Sequence, residues 1–322
     1  MNNPGLILVA IGFFTPQVVS SEDDDATRRR TIRRWTHELD HDRFATREAA
    51  TRELIEAGAP AIPSVREAAE QNSLEATSRA ISILFLLSTE GDPESMRLAK
   101  AALADLKSSK NRRAARRASA AIERRQLHLI AKLKELGASA TVDDGRVVSI
   151  SFSDKQLTND DFAILAEFSD VERLDLYKSS LGDAGLVHLK GLTKLKSLAM
   201  GSTKVTDAGL VHLRDMTQLT YLGLRANNIT DAGLVHLRKL TNLSGLFLAE
   251  TKVTDAGLIH IQHLIKLDRL YLFTMNVSDA GLIYLREMAN LEYISIYETD
   301  ITESGVRKLR AWFPRCKIDT EE

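Results

Sequence analysis

The sequence predicts an α/β solenoid, a right-handed superhelix with a parallel concave sheet and convex helices, preceded by an all-α domain. Three observations carry that prediction. A 24-residue unit recurs without a gap from Val147 onward; every unit opens on a strand-like alternation and passes into a helical spacing; and residues 31–136 hold helical patterns with no strand pattern among them. A fixed period of this length is the mark of stacked supersecondary units rather than of one closed core.

Seven units begin at Val147, Val171, Leu195, Leu219, Leu243, Leu267 and Leu291. The tetrapeptide Asp-Ala-Gly-Leu stands at Asp183, Asp207, Asp231, Asp255 and Asp279, always 24 residues apart. Each unit opens with a spacing such as Leu219, Leu222 and Leu224. The alternation puts Leu222 and Leu224 on one face and their neighbours on the other, as in a half-buried strand. After a turn, Val205, Ile229 or Val253 leads into Thr-Asp-Ala-Gly-Leu. Thr206 and Asp207 are expected to cap a helix start, because their side-chain oxygens accept from backbone N–H groups that lack a partner there. Leu210, Leu213 and Met216 follow at helical spacing as its buried face. One unit buries too little apolar surface to offset the ordering of its chain, so the units must stack.

These residues resemble the leucine-rich-repeat (LRR) family, in the Thr-Asp-x-Gly-Leu variety seen in many bacterial proteins and similar to the repeats of F-box proteins. The resemblance covers about residues 147–314. The family often places Asn at the ninth repeat position, where it ties adjacent turns together; here that position holds Ser179, Thr203, Asn227, Thr251, Met275 and Thr299. Hydroxyls are able to replace the amide as backbone partners. Met275 is not, and a looser turn is expected there. The resemblance implies recognition of a protein, peptide or glycan on the concave face.

The ends of a solenoid need covers. Residues 138–148 read as a hairpin with Asp144-Gly145 as its turn, and Trp312, Phe313 and Pro314 as the start of a C-terminal cap over 312–318. The LRR domain is therefore expected over 137–322, and a helical domain over 31–136. In the latter, Ile32, Trp35 and Leu39 share one helical face, and Ala50, Leu54 and Ala57 another before Gly58. The segment from Phe44 to Pro63 resembles a HEAT-type helical repeat, which implies a second protein-contact scaffold. Residues 1–20, with an apolar run from Gly5 to Phe14, read as a signal peptide, and 21–30 as an acidic-then-basic linker. Export to a periplasmic or extracellular location follows; a cytoplasmic scaffold bridging two proteins is the alternative.

The formal net charge of −1 argues for neither nucleic acid nor membrane as a bulk partner. Charge is nonetheless uneven. Between Lys107 and Arg125 lie eight basic residues against Glu123 alone. An anionic polymer is the partner this stretch suggests, although it contains no aromatic side chain for stacking bases. The single cysteine, Cys316, excludes an internal disulfide and is expected in the C-terminal cap.

Alternation assigns the third, fifth and seventh residues of each unit to the concave surface. Six aromatic side chains then cluster over the last four repeats of a chain that is 6% aromatic overall: Tyr221, Phe247, Tyr271, Phe273, Tyr293 and Tyr297. Arg225 and Arg269 lie among them. Aromatics with arginine are the usual anchors of interfaces, so these eight residues form the expected partner site; cross-strand packing is the competing use of the same rings. A second column, His188, His212, His236 and His260, is placed by repeat duplication on the convex helices, with no carboxylate beside it. No cofactor and no metal is expected. Phosphate loops, nucleophile elbows and metal-binding helix motifs are missing, and the reading is a non-catalytic, monomeric binding protein.

Overall fold

The computed structural model describes residues 21–71 and 73–321. The signal-peptide reading of 1–20 lies outside the described residues. The chain divides into two compact units between Leu127 and His128.

The first unit is all helical: α1 (Ser21–Glu38), α2 (Phe44–Ala57), α3 (Ile62–Ala69), α4 (Leu74–Glu90), α5 (Pro93–Lys107) and the opening of α6 (Arg112–Glu135). Local chemistry sets these boundaries. Gly58 ends α2 with a left-handed backbone, φ 63°. Ser73 caps α4 by accepting from the Ala76 amide at 3.2 Å, and Asp92 caps α5 by accepting from Glu94 and Ser95 at 3.0 and 3.1 Å, with Pro93 in the first turn. Leu54, Val65, Leu84, Leu103 and Leu106 are buried at the centre.

Two boundaries fall elsewhere than the sequence predicts. Residues 21–30 are not a linker but the first turns of α1, where Asp25 pairs with Arg29. Acidic residues lead and basic ones follow, the order that suits both the helix dipole and an i, i+4 pair. The division of cores falls inside α6 rather than at 136/137. Ala114, Ala118 and Ala121 belong to the first core, Leu129 and Leu133 to the second. Nothing in the sequence breaks that helix before Gly137, whose φ is 78°.

The second unit opens with β1 (Ser139–Asp143) and β2 (Arg146–Ser151), an antiparallel hairpin whose turn residues Asp144 and Gly145 both have positive φ, as a tight two-residue turn requires. Then come β3 (Arg173–Asp175), β4 (Ser197–Ala199), β5 (Tyr221–Gly223), β6 (Gly245–Phe247), β7 (Arg269–Tyr271), β9 (Tyr293–Ser295) and β11 (Lys317–Asp319), all parallel in one nine-stranded sheet. Every parallel partner in this sheet is the residue 24 places on, from Ser149↔Arg173 to Tyr293↔Lys317. Leu174, Leu198, Leu222, Leu246, Leu270 and Ile294 are buried in succession along the inner face.

The stretch after each strand is tighter than an α-helix. It is one α-turn in α7 (Asp207–Leu210), α8 (Asp231–Leu234) and α9 (Asp255–Leu258), continuing as a 3-10 turn after α7 and α8. The last is α-helical throughout, α10 (Glu303–Trp312). The eighth residue of every unit has a left-handed backbone although none is glycine: Asp154, Lys178, Ser202, Ala226, Glu250, Thr274 and Glu298, with φ between 51° and 60°. Each left-handed residue costs roughly 1–2 kcal/mol, so stacking imposes this turn against local preference.

The recurring Asp and Gly act between units. Asp207 was expected to cap its own helix; its carboxylate instead accepts from the backbone N–H (2.8 Å) and hydroxyl (2.6 Å) of Thr230 in the next unit. Asp183 holds Thr206, Asp231 holds Thr254, Asp255 holds Ser278 and Asp279 holds Thr302 in the same way. The threonine does the capping: Thr230 Oγ1 accepts from the Ala232 amide at 3.3 Å while donating to Asp207. A side chain at Gly233 would collide with that Asp207 carboxylate, and Gly209, Gly257, Gly281 and Gly305 face the same obstacle. Stacked units lie roughly 4.8 Å apart, close enough for a short carboxylate to cross.

At the ninth position Asn227 donates to the Met200 and Leu224 carbonyls at 2.8 and 3.0 Å and accepts from Thr203 N and Oγ1 at 3.0 and 2.8 Å. Thr251 Oγ1 donates to the Leu248 carbonyl at 2.7 Å, a hydroxyl in the amide's place. Met275 is buried and begins β8 (Met275–Ser278), which pairs in parallel with β10 (Thr299–Asp300). Strand pairing orders that turn in place of a side-chain tie.

The C-terminal cap goes further than its aromatic lid. Phe313 is buried and Trp312 packs on the core, but β11 beyond them supplies one more strand in register. Half-buried Cys316 lies in this turn, its thiol pushed up to about 11 by burial.

Candidate functional site

The outward face of the sheet carries the eight predicted site residues, and the structure sorts them into two rows and an outlier. The first row runs across four strands. Tyr221 meets Phe247 with ring centroids 5.0 Å apart, Phe247 stacks on Tyr271 at 3.7 Å and 15°, and Tyr271 meets Tyr293 at 5.0 Å. The row bends because the repeat supplies small residues where the rings cross. Tyr221 lies against the Gly245 backbone, where a Cβ would come within 3.1 Å of its ring, and its hydroxyl reaches over Gly223. Stacking between neighbouring strands turns the ring faces toward each other, so the edges point to solvent.

The second row starts from the seventh position. Arg225 lies over the Phe273 ring at 5.1 Å and Phe273 stacks on Tyr297 at 4.5 Å and 10°. Glu250 fixes the guanidinium, accepting from Arg225 Nε at 2.9 Å; that hydrogen bond is the main reason the arginine is held above its ordinary pKa. Alternation alone assigns Phe273 to the surface, but Arg225 and Tyr297 cover it and leave it 8% exposed. Phe273 is therefore a support for the two residues above it rather than a contact. Arg269 joins neither row; its nearest charge is Asp268, at 3.7 Å, and it stays exposed.

Two residues of the site escaped the sequence reading. Glu250 occupies the eighth position, outside the columns that alternation selects. Asp319, on β11, accepts from the Tyr293 hydroxyl at 2.6 Å. Burial first, and Asp319 next, push the Tyr293 phenol up to about 12. Burial also raises Tyr221. Lys317 Nζ lies over the Tyr293 ring at 5.7 Å, and the four members of the ring row remain half-buried.

The convex histidines are half-buried, and burial lowers the pKa of His212 and His260. Among the described residues no group of three or more His, Cys, Asp or Glu is placed to hold a metal ion. Among them, too, no helix is long and apolar enough to cross a membrane.

The basic stretch 107–125 divides as well. Arg117 donates to Ser78 Oγ at 2.8 Å, Arg125 to the Ser88 carbonyl at 2.9 Å, and Arg124 lies over the Phe85 ring at 4.7 Å. The aromatic partner that the stretch itself lacks is thus supplied by α4.

A 24-residue unit of strand, left-handed turn and short helix, stacked in parallel at constant register, defines an α/β solenoid of the leucine-rich-repeat class, preceded by a helical domain. Solved LRR structures are similar to it. They include the internalin inlF of Listeria monocytogenes (23% identity, TM-score 0.47, over 54% of this chain and 48% of that one) and the internalin inlC2 of the same organism (22%, 0.46, 60% and 92%). The LRR protein LIC12759 of Leptospira interrogans is a third (19%, 0.36, 49% and 45%). The chain thus spans about half the length of inlF. No protein-family model and no curated protein matches the sequence.

Proposed function

We propose that the protein is a non-catalytic, exported binding protein that docks a peptide segment of another protein on the outward sheet face of its last four repeats. The observation that carries this reading is the continuous row Tyr221, Phe247, Tyr271 and Tyr293, half-buried and flanked by the Arg225–Glu250 pair. Stiff aromatic rings bury large area with little entropy loss, and a fixed guanidinium beside them gives direction to a polar group. A peptide is favoured over a glycan because sugars pack on ring faces, and here the faces of Phe247 and Tyr271 are turned to each other. Exposed Arg269 extends the patch on the same sheet.

The test is affinity capture from the native surroundings with wild type and with Phe247→Ala plus Tyr271→Ala, followed by binding measurement on the recovered partner. A peptide-binding site here predicts a partner that wild type retains and the double variant loses by about 30-fold or more, the scale of interface anchors, with an unchanged circular dichroism spectrum. Equal recovery by both forms sinks the reading. A processed N-terminus near Ser21 is the expected mark of export.

A further inference from the structure

The helical unit has a surface feature that the sheet face does not account for. A groove runs between α4 and α6, lined by Ser78, Phe85 and Leu86 on one side and by Arg117, Ala120 and Arg124 on the other. It continues past Arg117 and Ala120 toward Arg112, Arg116 and exposed Leu74. From Arg112 to Arg124 it follows three turns of α6, roughly 18 Å at the α-helical rise. Among the described residues no carboxylate lines it. Its floor is aliphatic, with Ile81 and Ala121 buried beneath.

The guanidinium groups are held in place. Arg124 lies over the Phe85 ring, and Arg117 spends one N–H on Ser78. Both keep outward N–H edges in a geometry set before any ligand arrives. They stand seven residues apart on one helix, so they repeat on the same face about 10 Å from each other. Arg112 and Arg116 add charge without an ion-pair partner among the described residues.

We infer that this groove binds an acidic amphipathic peptide, which sets carboxylates on Arg117 and Arg124 and an apolar side chain on the floor between them. Nucleic acid fits less well. Phe85, the one ring among the described lining residues, is already covered by Arg124, and an aliphatic floor gives a phosphate backbone nothing to bind. The site is independent of the sheet face, and the full chain would then engage two protein segments at once.

Fluorescence anisotropy with the full-length protein tests it, using three labelled probes of equal length. These are a twelve-residue peptide alternating Glu-Leu-Leu-Glu blocks, a twelve-residue polyglutamate, and a twelve-nucleotide single-stranded DNA. The amphipathic peptide is expected to bind at least tenfold tighter than the other two. Arg117→Gln plus Arg124→Gln should weaken it at least tenfold. Ser82→Trp, at an exposed position on the groove wall, fills the space while leaving every charge, and should abolish binding with the helical spectrum intact. Polyglutamate or DNA binding as tightly as the peptide overturns the proposal, as does full affinity in the Ser82→Trp variant or no binding of the peptide by wild type.

Discussion

Replacing Gly233 by Ala reverses the usual expectation for a helix, and the reason lies in the preceding repeat. Alanine in place of glycine in a helical turn is worth about 1 kcal/mol by propensity alone. Gly233 has no positive φ that would require glycine. A Cβ there, however, enters the space of the Asp207 carboxylate, and the next obstacle is the flexible Leu210 Cδ1 at 3.1 Å. Overpacking of this kind costs about 1–3 kcal/mol, so Gly233→Ala should destabilise by about 1 kcal/mol net. Asp207→Ala removes two charge-assisted bonds to Thr230, at 2.8 and 2.6 Å. At a half-exposed site these are worth about 2–3 kcal/mol together. With the carboxylate gone, the added methyl has room, and Gly233→Ala should then stabilise by about 1 kcal/mol. The double-mutant cycle therefore carries a coupling of roughly 2 kcal/mol. Urea unfolding of the full chain measures it, followed by circular dichroism and by Trp312 fluorescence in a Trp35→Phe background, which reports the repeat unit alone. Equal cost for Gly233→Ala in both backgrounds would show that the glycine column has nothing to do with the carboxylate column.

Two further outcomes concern titration. Thr302, through its backbone N–H first and then its hydroxyl, holds Asp279 below its ordinary 3.8; the folded form binds its proton less readily than the unfolded one. That contribution is fully present above 3.8 and is lost as pH falls through the lower folded value, so protection of the Thr302 amide against hydrogen exchange should decline below about pH 3.8. A flat protection factor down to pH 2 would contradict the clasp. Tyr293 runs the other way: with its phenol pushed up to about 12, its stabilisation is complete below 10.0 and is lost as pH rises from there through about 12. An absorbance titration should show one tyrosine ionising late, and Asp319→Asn should bring it partly, not wholly, back, since burial is the larger cause. Full return, or no change, would refute that division.

Most of the solenoid is legible in the sequence because its determinants are local and repeated. Leu222 and Leu224 announce a strand wherever the chain goes next, and a constant 24-residue spacing leaves one register in which every unit buries its leucines. What was hidden is where side chains reach sideways. An aspartate at a helix start is able to serve its own turn or its neighbour's, and only stacking decides that Asp207 holds Thr230. Strand β11 was missed because Arg315 stands where the earlier units have Leu or Val, yet Ile318 still falls opposite Ile294. Alternation put Phe273 outside, but the bulk of Arg225 and Tyr297 above it removes it from water. The residues 21–30 looked like a linker by composition, while their i, i+4 charge order makes a helix.

The uniform joint has a consequence for how such a chain changes over time. Because the five seams from Asp183 to Thr302 are closed by the same carboxylate, hydroxyl and glycine, the units between them are interchangeable parts: excising residues 219–242 would bring Asp207 to Thr254, a seam of identical chemistry. Length is thus nearly free to drift. The aromatic row has no such tolerance, since its path crosses positions that differ from unit to unit, and the individuality of this molecule is written where its repetition lapses.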